Sequence, residues 1–244
     1  MGRLTWQAAT VVGARWETPR VRSLVLDAGA WPGHRAGQHV DVRLTAEDGY
    51  TAQRSYSIAS APEEPTVTLT VERLDDGEVS PYLVDEAMPG DRLELRGPIG
   101  GHFVWCPDDP SPLQLLAGGS GVVPLMAMLR ARAGLASPPP AILLLSSRTA
   151  DDIIYRDELA ALARREEGPR VVHTLTRSAP PGWEGRTGRY DAAALAELAL
   201  PLSTRPLTYV CGPTAFVESM ASLLTGLGHP PGRVRTERFG ATGG

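Results

Sequence analysis

The hydrophobic pattern changes period once along the chain, across Cys106-Pro107-Asp108-Asp109-Pro110-Ser111-Pro112. Before that segment, runs rich in Val, Leu and Thr alternate in twos, as in Val40-Asp41-Val42-Arg43-Leu44. Strands are predicted over residues 7–16, 21–26, 38–44, 52–58, 66–72 and 91–96, with turn signals at Pro32-Gly33, Asp48-Gly49, Pro62 and Pro89-Gly90. Many short strands at regular turns favour a closed barrel or a sandwich. After the segment, apolar runs at 113–117, 141–145, 171–176, 207–210 and 234–239 alternate with helical spacing at 123–133, 157–165, 191–198 and 216–224. That alternation requires a parallel sheet covered on both faces. The expectation is two domains, residues 1–106 and 113–244, joined by a linker at 107–112 with three prolines, two acids and no periodicity. A chain of 244 residues is long enough for two ordinary cores.

Composition narrows the chemistry. All 24 basic residues are Arg, so any phosphate must be held by Arg, by Ser or Thr, or by backbone N–H groups. Residues 1–110 carry 10 Arg against 17 Asp and Glu, and residues 111–244 carry 14 against 11, which points to two domains with different partners. Neither half is basic enough for nucleic acid. Two cysteines, Cys106 and Cys211, are too few for a disulfide framework or for a four-thiolate iron–sulfur cluster. The five His residues show no metal-ligand spacing, so no metal is assigned. No apolar run approaches the ~18 residues of a membrane span, and residues 1–10 lack a signal-like core. A cytoplasmic monomer is expected.

Three stretches carry chemistry. The first is Gln53-Arg54-Ser55-Tyr56-Ser57-Ile58-Ala59-Ser60. Strand alternation puts Arg54 and Tyr56 on one face and Ser55 and Ser57 on the other. A guanidinium beside a phenol suits a ligand with a phosphate at one end and a flat ring at the other; the alternative is a strand end with an exposed Arg–Tyr pair. A little later, Asp76-Gly77-Glu78-Val79-Ser80-Pro81 reads as a helix start with Ser80 at the N-cap and Pro81 in the first turn, where anions bind.

The second stretch is Gly118-Gly119-Ser120-Gly121-Val122-Val123-Pro124, set between a predicted strand and a predicted helix. Nucleotide phosphates bind at such turns. Its Gly-x-Gly-x-x-Pro spacing departs from the dinucleotide fingerprint, and the next strand ends Ser146-Ser147-Arg148 rather than in the ribose-binding acid of a simple dehydrogenase. The third is Cys211-Gly212-Pro213, ending one predicted strand before a helix whose N-terminus can lower a thiol pKa. A buried small residue before a turn is the alternative for Cys211.

In this order the three stretches resemble the motifs of the ferredoxin–NADP reductase family, over residues 5–239. The resemblance implies a six-stranded antiparallel β-barrel for FAD and a doubly wound parallel sheet for NAD(P). It places Arg54, Ser55, Tyr56, Ser57, Val71, Gly77, Val79 and Ser80 around FAD, with the 77–80 segment at the pyrophosphate. Gly119, Ser120, Gly121 and Pro124 fall to the nicotinamide nucleotide, as do Cys211, Gly212 and Pro213. Cys211 would align hydride transfer without acting as a nucleophile; Ser57 and Glu237 complete the catalytic set. Phe239 would cover the flavin face, core packing being the alternative. Gly97-Pro98-Ile99-Gly100 matches a structural turn after the barrel.

The same resemblance matches Thr176-Arg177 to a Ser/Thr-Arg pair of NADPH-using members, with Ser147-Arg148 on the same sheet rim and Arg186 as a third cation for the 2′-phosphate. Asp151 and Asp152 count against a phosphate there, and all these Arg residues could instead be solvated. NADPH is expected, with NADH as the alternative donor. Hydride would pass to the flavin across the domain cleft, and electrons would leave to a separate ferredoxin, flavodoxin, haem protein or other metalloenzyme. The rivals are a flavin-binding electron-transfer subunit that never meets a nicotinamide, and an NAD(P) dehydrogenase without flavin.

Overall fold

The structure is a computed structural model describing residues 4–46 and 48–240. It splits into two compact units, one of Met1–Cys106 with Met126–Ala131, the other of Pro107–Leu125 with Arg132–Gly244. No helix among the described residues is long and apolar enough to cross a membrane.

The first unit is one antiparallel sheet of β1 (Trp6–Thr18), β2 (Val21–Asp27), β3 (His39–Thr45), β4 (Thr51–Ser57), β5 (Val67–Glu72) and β6 (Arg92–Ile99), in the order β4-β3-β6-β1-β2-β5. One face of each strand supplies the core: Val40 and Val42 from β3, Leu24 and Leu26 from β2, Leu69 from β5 and Leu95 from β6 have no exposed surface. β4 and β5 are the two ends of the sheet order. Among the described residues, the one isolated bridge toward closure joins Ile58, just after β4, to Leu69 of β5. Among the described residues the outer backbone edge of β4, from Thr51 to Ser57, therefore has no strand partner, and the barrel has a seam.

Two expectations need correction here. The segment after β5 forms only a short π-helical turn, Tyr82–Glu86, and Ser80 does not cap it. The Ser80 hydroxyl instead accepts from the Leu74 N–H at 3.1 Å, closing the preceding loop on itself. Gly97-Pro98-Ile99 is no turn but the last part of β6, with Ile99 opposite His39. Gly97 allows this, since a Cβ there would lie 2.8 Å from Val40 Cγ1.

The second unit contains β7 (Leu113–Gly118), the two ends of α1 (Val122–Ala133), β8 (Ala141–Ser147), α2 (Arg156–Ala163), β9 (Arg170–Leu175), β10 (Arg186–Thr187), α3 (Ala192–Leu198), β11 (Leu207–Pro213), α4 (Thr214–Gly226) and β12 (Val234–Phe239). All neighbours are parallel, in the order β10-β9-β8-β7-β11-β12. Leu116, Ile142, Leu144 and Val210 face one core with Val217, Met220 and Leu224 of α4 and Leu195 of α3. Their neighbours Leu115, Leu143, Leu145 and Tyr209 are equally buried on the opposite face. Burial of both faces is why these strands read as continuous apolar runs rather than as alternation. β10 escapes the sequence because two residues carry no period. The chain walks outward from β7 through β8 and β9, then returns to lay β11 on the other side of β7. The reversal puts the ends of β7 and β11 at a topological switch point, where open α/β sheets bind ligands.

Candidate functional site

β4 positions the first constellation. Its register with β3 sets Tyr56 opposite Val40, Arg54 opposite Val42 and Ser55 opposite Asp41. Val40 and Val42 are core residues, so Arg54 and Tyr56 share the core-side face. Tyr56 packs half-buried against the core, and burial pushes its phenol pKa well up, so it stays protonated. Arg54 reaches outward and donates to Glu78 Oε2 at 2.9 Å and to the Gln53 carbonyl at 2.7 Å. Glu78 thereby ties the 77–80 segment to β4 across the seam. Ser55 points the other way and donates to Asp41 at 2.6 Å. Asp41 also receives Arg96 at 2.6 Å. Burial would raise the Asp41 pKa, but the Ser55 and Arg96 hydrogen bonds outweigh it and hold it low. Ser55 thus belongs to a clasp on the far face, apart from Arg54 and Tyr56. Val71 and Val79 are core side chains, so neither presents more than backbone to a ligand. An exposed guanidinium, a half-buried phenol ring and an unladdered edge on one strand fit a flavin nucleotide.

The second constellation is made by the absence of side chains. A Cβ on Gly121 would lie 2.1 Å from the Cys211 carbonyl oxygen, and one on Gly212 would lie 3.1 Å from the Gly118 backbone. A Cβ on Gly118 or on Gly212 would also lie 2.9 or 3.0 Å from the Phe216 ring of α4. The two motifs, remote in sequence, interlock backbone to backbone at the switch point. Gly119 has a left-handed φ of +54° with open space around it, the conformation that turns N–H groups toward a bound anion. Ser120 follows in the same turn, and Pro124 sits buried in the first turn of α1, where its missing N–H costs nothing. This donor set fits the phosphates of a nicotinamide nucleotide.

Cys211 is 1 % exposed. Burial and then the nearby Glu237 raise its thiol pKa well above the usual value, against a smaller opposing hydrogen bond from Gly212. The thiolate-favouring effect of a helix N-terminus, expected from the sequence, is overridden by desolvation; the thiol stays neutral. Glu237 stands opposite Cys211 in the β11–β12 ladder, and burial lifts its pKa from 4.5 to about 7. Phe239 is opposite Pro213 and 37 % exposed.

The third group lies at the ends of β8 and β9. Their ladder runs on past the strands: the Thr176 N–H donates to the Ser147 carbonyl and the Arg177 N–H to the Arg148 carbonyl, both at 2.9 Å. This sets Arg148 and Arg177 side by side, both exposed. The hydroxyls turn inward: Thr176 Oγ1 donates to the Ser147 carbonyl at 3.1 Å, and Ser147 Oγ is enclosed. Arg186 ion-pairs with Glu197 of α3 at 3.1 Å, both side chains being partly exposed. Asp152 accepts from the Thr149 N–H and hydroxyl as part of a capping box, so of the two acids only Asp151 stays exposed.

Sequence reasoning overlooked Glu78 and Tyr50. The Tyr50 hydroxyl donates to Glu78 Oε1 at 2.6 Å. The sequence showed only an acid between Gly77 and Ser80; that it faces Arg54 follows from the sheet order. Among the described residues no three His, Cys, Asp or Glu side chains gather as metal ligands.

Comparison with known proteins matches a domain model to each half of the chain. Residues 23–105 match the oxidoreductase FAD-binding domain and residues 115–222 the oxidoreductase NAD-binding domain. Ferredoxin–NADP reductase B of Sorangium cellulosum is 37 % identical over 240 residues, covering 95 % of this chain and 96 % of that protein. The glycine betaine monooxygenase reductase subunit of Chromohalobacter salexigens is 32 % identical over 99 % of this chain, which spans 65 % of that longer protein. Among solved structures, the FAD/NAD-binding domain of nitric oxide dioxygenase from Vibrio cholerae superposes with a TM-score of 0.85 at 26 % identity, covering 96 % of this chain and 98 % of that one. The barrel with its Arg-x-Tyr-Ser seam, the parallel sheet with its glycine switch point and 37 % identity to a reductase over almost the full length of both chains make this chain a member of the ferredoxin–NADP reductase family of FAD- and NAD(P)-binding oxidoreductases.

Proposed function

We propose that the chain oxidises NADPH in preference to NADH and passes the electrons to a separate redox protein, a ferredoxin or an oxygenase component. The preference rests on one observation, the backbone ladder bond from Arg177 to Arg148 that makes two exposed arginines neighbours on the sheet rim. A 2′-phosphate needs fixed cations, and Arg presents them in a rigid fork. The acceptor class is supported by the relatives, one a ferredoxin–NADP reductase and another the reductase subunit of a monooxygenase.

FAD, when bound, supplies the redox chemistry, taking up two electrons as hydride and releasing them singly. This chain supplies position. Arg54 holds the pyrophosphate, and Tyr56 gives the isoalloxazine a flat, protonated partner. The 118–121 turn and the N-terminus of α1 hold the nicotinamide nucleotide by its phosphates. Cys211, neutral and buried, aligns without attacking, while Ser57 ends the flavin strand and Glu237 holds a proton near neutral pH.

Anaerobic mixing tests the reading. NADPH is expected to bleach the flavin band faster than NADH at equal concentration. Charge-assisted contacts to phosphate contribute roughly 1.5–3 kcal/mol, so Arg177→Ala costs about tenfold or more in apparent NADPH affinity and little for NADH. Equal use of both nucleotides by the wild type, or equal losses in the variant, removes the 2′-phosphate pocket.

A further inference from the structure

The flavin reading assigns the isoalloxazine to Tyr56 and the pyrophosphate to Arg54, and leaves the adenosine end of FAD without a partner. The alternation of β4 continues through Ala52 to Tyr50, so Tyr56, Arg54, Ala52 and Tyr50 follow one another at two-residue spacing on one face. Tyr50 is 57 % exposed, an aromatic ring with little packing of its own. It is nevertheless fixed in place. Its N–H donates to Asp48 Oδ1 at 2.9 Å, and its carbonyl accepts from the Ala46 N–H at 2.8 Å, closing the β3–β4 hairpin. Its hydroxyl donates to Glu78 Oε1 at 2.6 Å, while Glu78 Oε2 receives Arg54 at 2.9 Å. One carboxylate thus spans the phenol and the guanidinium, and sets an exposed ring beside the cation meant for phosphate.

We propose that Tyr50 is the platform for the adenine of FAD and that Glu78 is the strut holding it there, so that this pair selects FAD over FMN. The inference rests on the flavin reading and deepens it. A purine stacks on any aromatic face without regard to hydrogen-bond pattern, and the ring's low rotamer freedom keeps the ordering cost small. FMN ends at the phosphate that Arg54 would hold and has nothing to lay on Tyr50. The Tyr50 hydroxyl is committed to Glu78, so the ring contributes its face, and the strut matters through orientation.

The test is equilibrium dialysis of the full chain against FAD and, separately, FMN, with retained flavin read by absorbance. Base–aromatic stacking supports an expected loss of about tenfold in FAD affinity for Tyr50→Ala. FMN affinity is expected to stay unchanged in that variant, and Tyr50→Phe to remain close to wild type for both flavins. Glu78→Gln keeps an acceptor for the phenol and is expected to preserve the FAD-to-FMN ratio, whereas Glu78→Ala lowers it. If Tyr50→Ala weakens FAD and FMN equally, Tyr50 is only a hairpin residue and the proposal fails. An unchanged FAD affinity in that variant overturns it as well. A wild-type chain that retains neither flavin overturns both this inference and the flavin reading, which separates that outcome from a failure of Tyr50 alone.

Discussion

The seam of the barrel and the switch point of the parallel sheet are built on opposite principles. At the seam, the candidate site is written in side chains: a guanidinium, two phenols and a carboxylate on and beside an edge strand. The Arg54–Glu78 pair that links them has side chains 54 % and 47 % exposed, and such pairs contribute little to folding. At the switch point, function is written in missing side chains, since Gly118, Gly121 and Gly212 let backbone meet backbone. The first kind of site can be retuned by substitution while the fold persists. The second cannot change without moving the strands that make it.

The largest effect should follow from breaking the second principle. Gly121→Ala drives a Cβ to 2.1 Å from a backbone carbonyl that has nowhere to go. A loss of about 3 kcal/mol is expected, at the upper end for overpacking. Gly119→Ala meets no atom and suffers only its left-handed φ of +54°, about 1 kcal/mol. Urea denaturation of the pair checks the contrast, and equal losses would show that crowding is not what makes the switch point.

A comparable effect, with a pH signature, is expected at Glu237. Its pKa rises from 4.5 to about 7 on folding through burial. Below pH 4.5 the carboxyl is protonated folded or unfolded, and its contribution to stability is fully present. As pH rises toward 7 the unfolded chain gives up the proton first, and stability falls by on the order of 3 kcal/mol. Glu237→Gln should remove that slope between pH 5 and 8. A variant with the wild-type slope would place the titration elsewhere.

The same comparison shows what the sequence could disclose. Strand periods, the linker composition and all three motifs were legible because each is local. Alternation alone put Arg54 with Tyr56 and Ser55 with its opposite face, as the β3–β4 register bears out. Helix caps and ion-pair partners were not legible. Ser80 resembles a cap but answers Leu74, and Arg186 resembles a rim cation but answers Glu197. Glu78 could be found only by knowing that β4 and β5 are the two ends of one sheet. The pKa of Cys211 follows from burial depth, which no dipeptide reports.

Smaller effects are expected at the seam. Tyr56→Ala should weaken FAD binding about tenfold while Tyr56→Phe stays within about twofold, since the ring supplies the contact; equal occupancy in both would remove Tyr56 from the site. Cys211→Ala should slow flavin reduction several-fold with flavin content unchanged, and an undiminished rate would leave the thiol a packing residue. Smallest of all, Glu78→Gln should leave the melting temperature within about a degree of wild type, as for other exposed pairs. A larger drop would mean that the seam carries fold as well as function.

The single Ile58–Leu69 bridge has a kinetic consequence. A strand laddered on one side only is where a barrel opens first, and amide hydrogen exchange reports such local opening without global unfolding. The segment Thr51–Ser57 should therefore take up deuterium ahead of β3, its only ladder partner. Anything that spans the gap to the 77–80 loop would slow that uptake. The isotope kinetics of one heptapeptide would then report how much of the protein carries its prosthetic group, with no light absorbed and no substrate turned over.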